Sequence, residues 1–266
     1  MIDIHPPEHT VITRRDFFIH LGIVVLGILI AIGLEQSVEY LHHRHQVAEL
    51  SGQMRVEAQN NIPLIRESIA RLKVQDGYVQ SLEQALLAGK PSGDSVDVHG
   101  VPPPGGSVVY ISPSRATWPA AQSAGLAALL PPIDAKLYAR LDYNTEGEIA
   151  ADTDLHLALR TLISECARAH YDHANPAVQR ITIVHRDDLL FQLKQVQGVM
   201  QGIAGSLSLV EGGEEAIVAG VHSLDDMYRY QNAALQRSHP GAMASFYGDL
   251  RKDQALKIPN APAATE

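Results

Sequence analysis

Residues 17–34 read FFIHLGIVVLGILIAIGL, 18 positions without a formal charge. At ~1.5 Å rise per residue such a helix reaches ~27 Å, close to the ~30 Å hydrocarbon core of a bilayer. After Leu34 the pattern changes but the helix signal does not: EQSVEYLHHRHQVAEL is rich in helix formers and holds no breaker. From Val47 the apolar positions Leu50, Met54, Ala58, Ile62, Ile65, Ile69, Leu72, Val79, Leu82 and Leu86 recur mostly at intervals of three and four, one face of a long amphipathic helix. Pro63 removes a backbone donor and crowds the turn before it, so it is expected to kink this helix or restart it. Gly89 and Pro91 mark the stop.

The periodicity then disappears through AGKPSGDSVDVHGVPPPGG, which reads as a Pro/Gly-rich loop over residues 89–111. Val108 to Ile111 is too short a run to establish a strand. Ser112-Pro113 has the form of an N-cap with proline in the first turn, opening a short helix that carries Trp118 and ends before Pro131-Pro132. Ile133, Leu137, Leu141, Ile149, Leu155, Leu159, Leu162 and Cys166 predict a long helix to about Tyr171, closed by Asn175-Pro176. Val178, Ile181, Leu189, Leu193, Val196, Met200 and Ile203 predict the next, broken by Gly205 and SLSLVEGG. Ile217, Val221, Leu224, Tyr228 and Leu235 predict a last long helix, with a short one over residues 242–256.

These elements define an all-α chain. Its expected parts are a cytoplasmic tail over residues 1–16, a transmembrane helix over 17–34, and a stalk with the first bundle helix over 35–88. A loop over 89–111, a helical bundle over 112–256 and a disordered tail over 257–266 follow.

Charge and cysteine content narrow the class. The chain carries a formal charge of −9, and residues beyond 34 hold 19 basic against 27 acidic side chains, which argues against a nucleic-acid partner. Cys166 is the single cysteine, so there is no intramolecular disulfide and no cysteine-based zinc site; it is expected to be a small buried hydrophobe.

Three readings of residues 17–34 compete: an uncleaved anchor, a cleaved signal and a buried core helix. Arg14-Arg15-Asp16-Phe17-Phe18 has the form of a twin-arginine export signal, and Ala31-Ile32-Gly33 fits a small-x-small cleavage site. The helical continuation beyond Leu34 favours the anchor. Arg14 and Arg15 precede the span whereas Glu35 and Glu39 follow it, which places the N-terminus in the cytoplasm and the bulk of the chain outside. Gly27 and Ala31 form a small-xxx-small pair suited to close helix packing.

Candidate chemistry concentrates just beyond the span. In Glu39-Tyr40-Leu41-His42-His43-Arg44-His45, Glu39, His42 and His45 follow one another at i, i+3 spacing, so one helix face offers a metal two or three ligands. A bundle di-iron site needs a second Glu-x-x-His, and the chain has none. The bland alternative is a polar helix at the membrane exit. His170 and His173 lie where a helix ends, a position favoured by the helix dipole. Gly89-Lys90 lacks the upstream glycine of a phosphate loop, since Gln84 stands there. Gly198, Gly202 and Gly205 lack a preceding strand and are read as helix-packing positions rather than a dinucleotide fingerprint. No catalytic or cofactor motif is indicated.

Residues 21–61, LGIVVLGILIAIGLEQSVEYLHHRHQVAELSGQMRVEAQNN, together with Ala116-Thr117-Trp118-Pro119-Ala120-Ala121-Gln122-Ser123-Ala124-Gly125-Leu126, resemble a widespread bacterial family of uncharacterised single-span membrane proteins. The first motif in that family is a V-x-x-G-I-L-I-A-type helix and the second a helix ending in Ser-Ala-Gly. The resemblance covers residues 17–61 and 112–145. This chain departs at Glu35-Gln36 and the histidine cluster, where many relatives have Gln, Asn and Trp. The resemblance implies an inner-membrane-anchored helical protein and no known activity. The expected partners are therefore the lipid bilayer and a protein, either another chain or a second copy.

Overall fold

The computed structural model describes residues 14–104 and 111–239. The expected tail at residues 1–13, the Val108–Tyr110 run, the helix over 242–256 and the C-terminal tail lie outside the described residues. Five helices and a small three-stranded sheet make up the described chain. It divides into two units, residues up to Glu49 and residues from Leu50 onward.

The first helix, α1 (Arg14–Leu87), runs through both and through Pro63 without interruption. Pro63 and Gln59, whose carbonyl loses its helical partner, are both solvent-exposed, so water can take the place of the missing donor. In the N-terminal unit every described side chain is exposed or intermediate, and the first buried residue is Leu50. None of the most apolar 18-residue window starting at Phe17 is covered by the described chain.

The second unit has a core of its own. Along α1 the buried stripe is Leu50, Met54, Ala58, Asn61, Ile65, Ser68, Ile69 and Leu72, so the buried position after Ala58 is the polar Asn61 and not Ile62. The segment read as a Pro/Gly loop contains a hairpin, β1 (Lys90–Ser92) and β2 (Ser95–His99), turning at Gly93 with φ 64°. β2 also pairs antiparallel with β3 (Val178–Thr182), placing Val96 opposite Ile181. The all-α expectation is thus corrected. In SVDVH, polar and apolar positions alternate with the period of a strand, and Val96 and Val98 are 0% and 1% exposed. Asn175-Pro176 accordingly leads into β3, not into a helix.

α2 (Thr117–Ser123) begins later than Ser112-Pro113 suggests, because the backbone before it is held by α1 side chains. A 3-10 turn (Leu126–Leu129) leads to α3 (Pro132–Arg168), which matches its predicted extent to within a few residues. His170 takes a left-handed conformation, φ 51°, after the end of α3, and the Tyr171 N–H donates back to the Cys166 carbonyl at 2.9 Å.

α4 (Ile183–Ala219) starts at the Thr182 cap and passes unbroken through Gly205 and SLSLVEGG, contrary to expectation. A Cβ on Gly198, Gly202 or Gly205 would meet nothing within 4 Å, so the packing role read for these three is also corrected. The close approach lies at Gly212, whose Cβ would fall 2.4 Å from the Cα of Gln231. The single last helix expected from Ile217 to Leu235 is in fact split. Gly220, φ 71°, ends α4, and Ser223 caps α5 (Leu224–Ser238) by accepting from the Asp226 N–H at 3.1 Å. α4 packs against both α3 and α5.

Candidate functional site

Two linked polar clusters sit inside the second unit, both built on α4. Its apolar stripe, Ile203, Leu207, Val210 and Ile217, includes Glu211 and Glu214 at helical spacing, so these carboxyls face inward; they are 4% and 3% exposed.

Glu211 and Glu215 lie between two arginines. Arg66 of α1 donates from Nε to Glu211 Oε1 at 2.7 Å and from Nη2 to Glu215 Oε1 at 2.7 Å. Arg237 of α5 reaches the same two oxygens at 3.2 and 2.7 Å. Charge-assisted bonds of this kind tie three helices together at one point. The hydrogen bond to Glu211 is the main reason the Arg66 guanidinium holds its proton more firmly than usual.

Glu214 has no arginine. Its Oε1 accepts from Asn61 Nδ2 at 2.7 Å. Burial first, and the nearby Glu57 carboxylate to a lesser degree, raise its pKa from 4.5 to about 7, opposed by the Asn61 bond. Asn61 also clamps the backbone of Ser114, donating to its carbonyl at 2.9 Å and accepting from its N–H at 2.8 Å. Glu57, one turn earlier, accepts from the Thr117 N–H at 2.9 Å and from the Thr117 hydroxyl. Ser68, two turns on, exchanges hydrogen bonds with the N–H and carbonyl of Ile111. A single stripe of α1 thus straps residues 111–117 in place of a sheet partner.

The cleft beside this strap is lined by Glu57, Arg115, Trp118, Asp142, Thr145 and Glu214 among others. Arg115 makes a two-pronged pair with Asp142, Nε and Nη2 each at 2.9 Å. Trp118 is buried against Tyr138, ring centroids 5.8 Å apart. The free volume of this cleft is about 10 Å³, that of a single water.

The residues singled out from sequence are placed differently. Glu39, His42 and His45 are exposed on α1, and Glu39 approaches His43 at 3.8 Å. Among the described residues no group of three or more His, Cys, Asp or Glu side chains is arranged to hold a metal. His170 is exposed, whereas His173 Nδ1 is hydrogen-bonded to Tyr78 Oη at 2.7 Å. Cys166 is buried as expected, and burial pushes its thiol up to about 11. Gly27 and Ala31 are exposed, with open space where a Cβ on Gly27 would stand. Sequence reasoning passed over Glu57, Asn61, Arg115 and Glu214. The available signal was polar residues at buried-stripe positions, Asn61 and Ser68 in α1 and Glu211 and Glu214 in α4.

Comparison with protein families, with curated proteins and with solved structures finds no match.

Proposed function

We propose that the chain is a single-pass protein of the bacterial inner membrane whose extracytoplasmic helical unit works through protein contacts, by partner binding or homo-oligomeric scaffolding, and not as an enzyme. The observation that carries this reading is the bare apolar helix: the window starting at Phe17 is 0% buried while the core begins only at Leu50. Apolar surface left in water costs ~25 cal/mol per Å², so a helix that is hydrophobic all round needs lipid or protein cover. Arg14 and Arg15 before the span and Glu35 and Glu39 after it support a cytoplasmic N-terminus. The motifs at residues 17–61 and 112–145 that suggested single-span bacterial proteins point the same way, although no family model matches the chain. The reading also accommodates a cleft with room for one water.

Alkaline extraction of native membranes tests the anchor: the full chain stays in the membrane pellet, and its release into the supernatant would overturn it. Reporter fusions after residues 10 and 150 test orientation, with the residue-150 fusion expected outside the cytoplasm. N-terminal sequencing of the membrane-bound chain finds Arg14 and Arg15 intact; a start just after Gly33 would favour the exported, cleaved form.

A further inference from the structure

Beyond the span, α1 stays apolar on one face. Leu34, Val38 and Leu41 are 64%, 67% and 62% exposed, although Glu35, Gln36, Glu39 and the histidines show that the helix is already in a polar setting. The residues on this face alternate by four and three: Gly27, Ala31, Leu34, Val38, Leu41, His45 and Ala48. That is a heptad seam with Ala31, Val38 and His45 at a and Gly27, Leu34, Leu41 and Ala48 at d. All are exposed, so the described chain covers none of them.

We propose that residues 27–48 of α1 form a parallel two-stranded coiled coil with the same residues of a second copy of this chain. Three features select that occupant. A β-branched residue at a with leucine at d, as in Val38 with Leu34 and Leu41, favours two strands over three or four. In this register Arg44 falls at g and Glu49 at e of the following heptad, the pairing that joins opposite charges across a parallel homodimer, so the chain complements itself. An anchor inserts every copy in the same direction, which imposes the parallel arrangement. This last point rests on the membrane reading; the first two do not. Gly27 and Ala31 carry the seam into the apolar stretch, where small residues let helices approach. His45 is the polar a residue that fixes register.

Single cysteines in the full chain, oxidised in native membranes, test this, with the unsubstituted chain controlling for Cys166. Val38→Cys and Leu41→Cys give disulfide-linked dimers several-fold more than Gln36→Cys and Tyr40→Cys, which face away from the seam. Leu34→Cys and Ala48→Cys read the same face should either of the first two variants fail to accumulate. Equal cross-linking on both faces, or none at the seam, would overturn the proposal; cross-linking confined to one seam position would indicate antiparallel pairing and overturn it too. Arg44→Glu and Glu49→Arg each weaken dimerisation about two- to fivefold, and the double exchange restores it. Fractionation of the same samples separates the two readings. Seam cross-links in a soluble chain would reject the anchor and keep the dimer, whereas a membrane-bound chain without them would keep the anchor and reject the dimer.

Discussion

Glu214 shows how one side chain can couple folding to pH. Its carboxyl is buried beside Glu57 with a pKa of about 7, so the folded state prefers it protonated, whereas the unfolded chain ionises it near 4.5. A raised carboxyl pKa makes the folded state bind the extra proton, so stability falls as pH rises from about 4.5 through 7 and changes no further above that window. At ~1.4 kcal/mol per pH unit the loss is roughly 3 kcal/mol. Urea unfolding of the full chain in detergent at pH 5 and pH 8 is expected to show this fall, and Glu214→Gln to remove it. Equal slopes in the two proteins would contradict the assignment. Gly212 makes a separate residue-scale prediction. A methyl there meets the backbone of Gln231, which cannot step aside as a side chain would, so Gly212→Ala costs about 1–3 kcal/mol or more. Gly205→Ala, with open space around it, is expected to stabilise α4 by up to ~1 kcal/mol, the difference in helix propensity. Thermal unfolding of the two variants side by side checks both.

Among the elements, the strap at residues 111–117 depends most on its neighbours. It has no periodicity of its own and is ordered by Glu57, Asn61 and Ser68, three side chains on one face of α1. Asn61→Ala leaves the Ser114 backbone and the Glu214 carboxyl without their shared partner. The expected cost is about 1–3 kcal/mol, with faster amide hydrogen exchange across residues 111–116 read by mass spectrometry. Unchanged protection there would show that the strap is held in some other way. Helix existence was legible for α1, α3 and α4 because each repeats its apolar period over many turns. The ends of α4 and α5 were signalled by Gly220 and Ser223, yet periodicity alone ran across them. The sheet was hidden because β1 and β2 span three and five residues, and their third strand lies far along the chain at Val178–Thr182. Only the fold brings Val96 opposite Ile181.

At the scale of the molecule, the core and the bare apolar helix belong to different units. Residues 50–266 hold every buried side chain among the described residues, so this portion expressed alone is expected to be folded, soluble and monomeric in gel filtration. A dimer of this truncated chain would place self-association outside residues 27–48. The amino-acid sequence by itself determined the mainly helical class, the apolar stretch over residues 17–34 and the helical continuation beyond it, because these follow from local composition and period. The four-and-three spacing behind the proposed seam is likewise local, whereas its being uncovered is read from the structure. Tertiary structure decided what the polar residues within the buried stripes are for. Asn61, Glu211 and Glu214 acquire their roles from groups more than a hundred residues away in some cases, and no local pattern states which partner a buried carboxyl will meet. Glu39, His42 and His45 show the converse: their common helix face is set by spacing alone, and all three are exposed on α1.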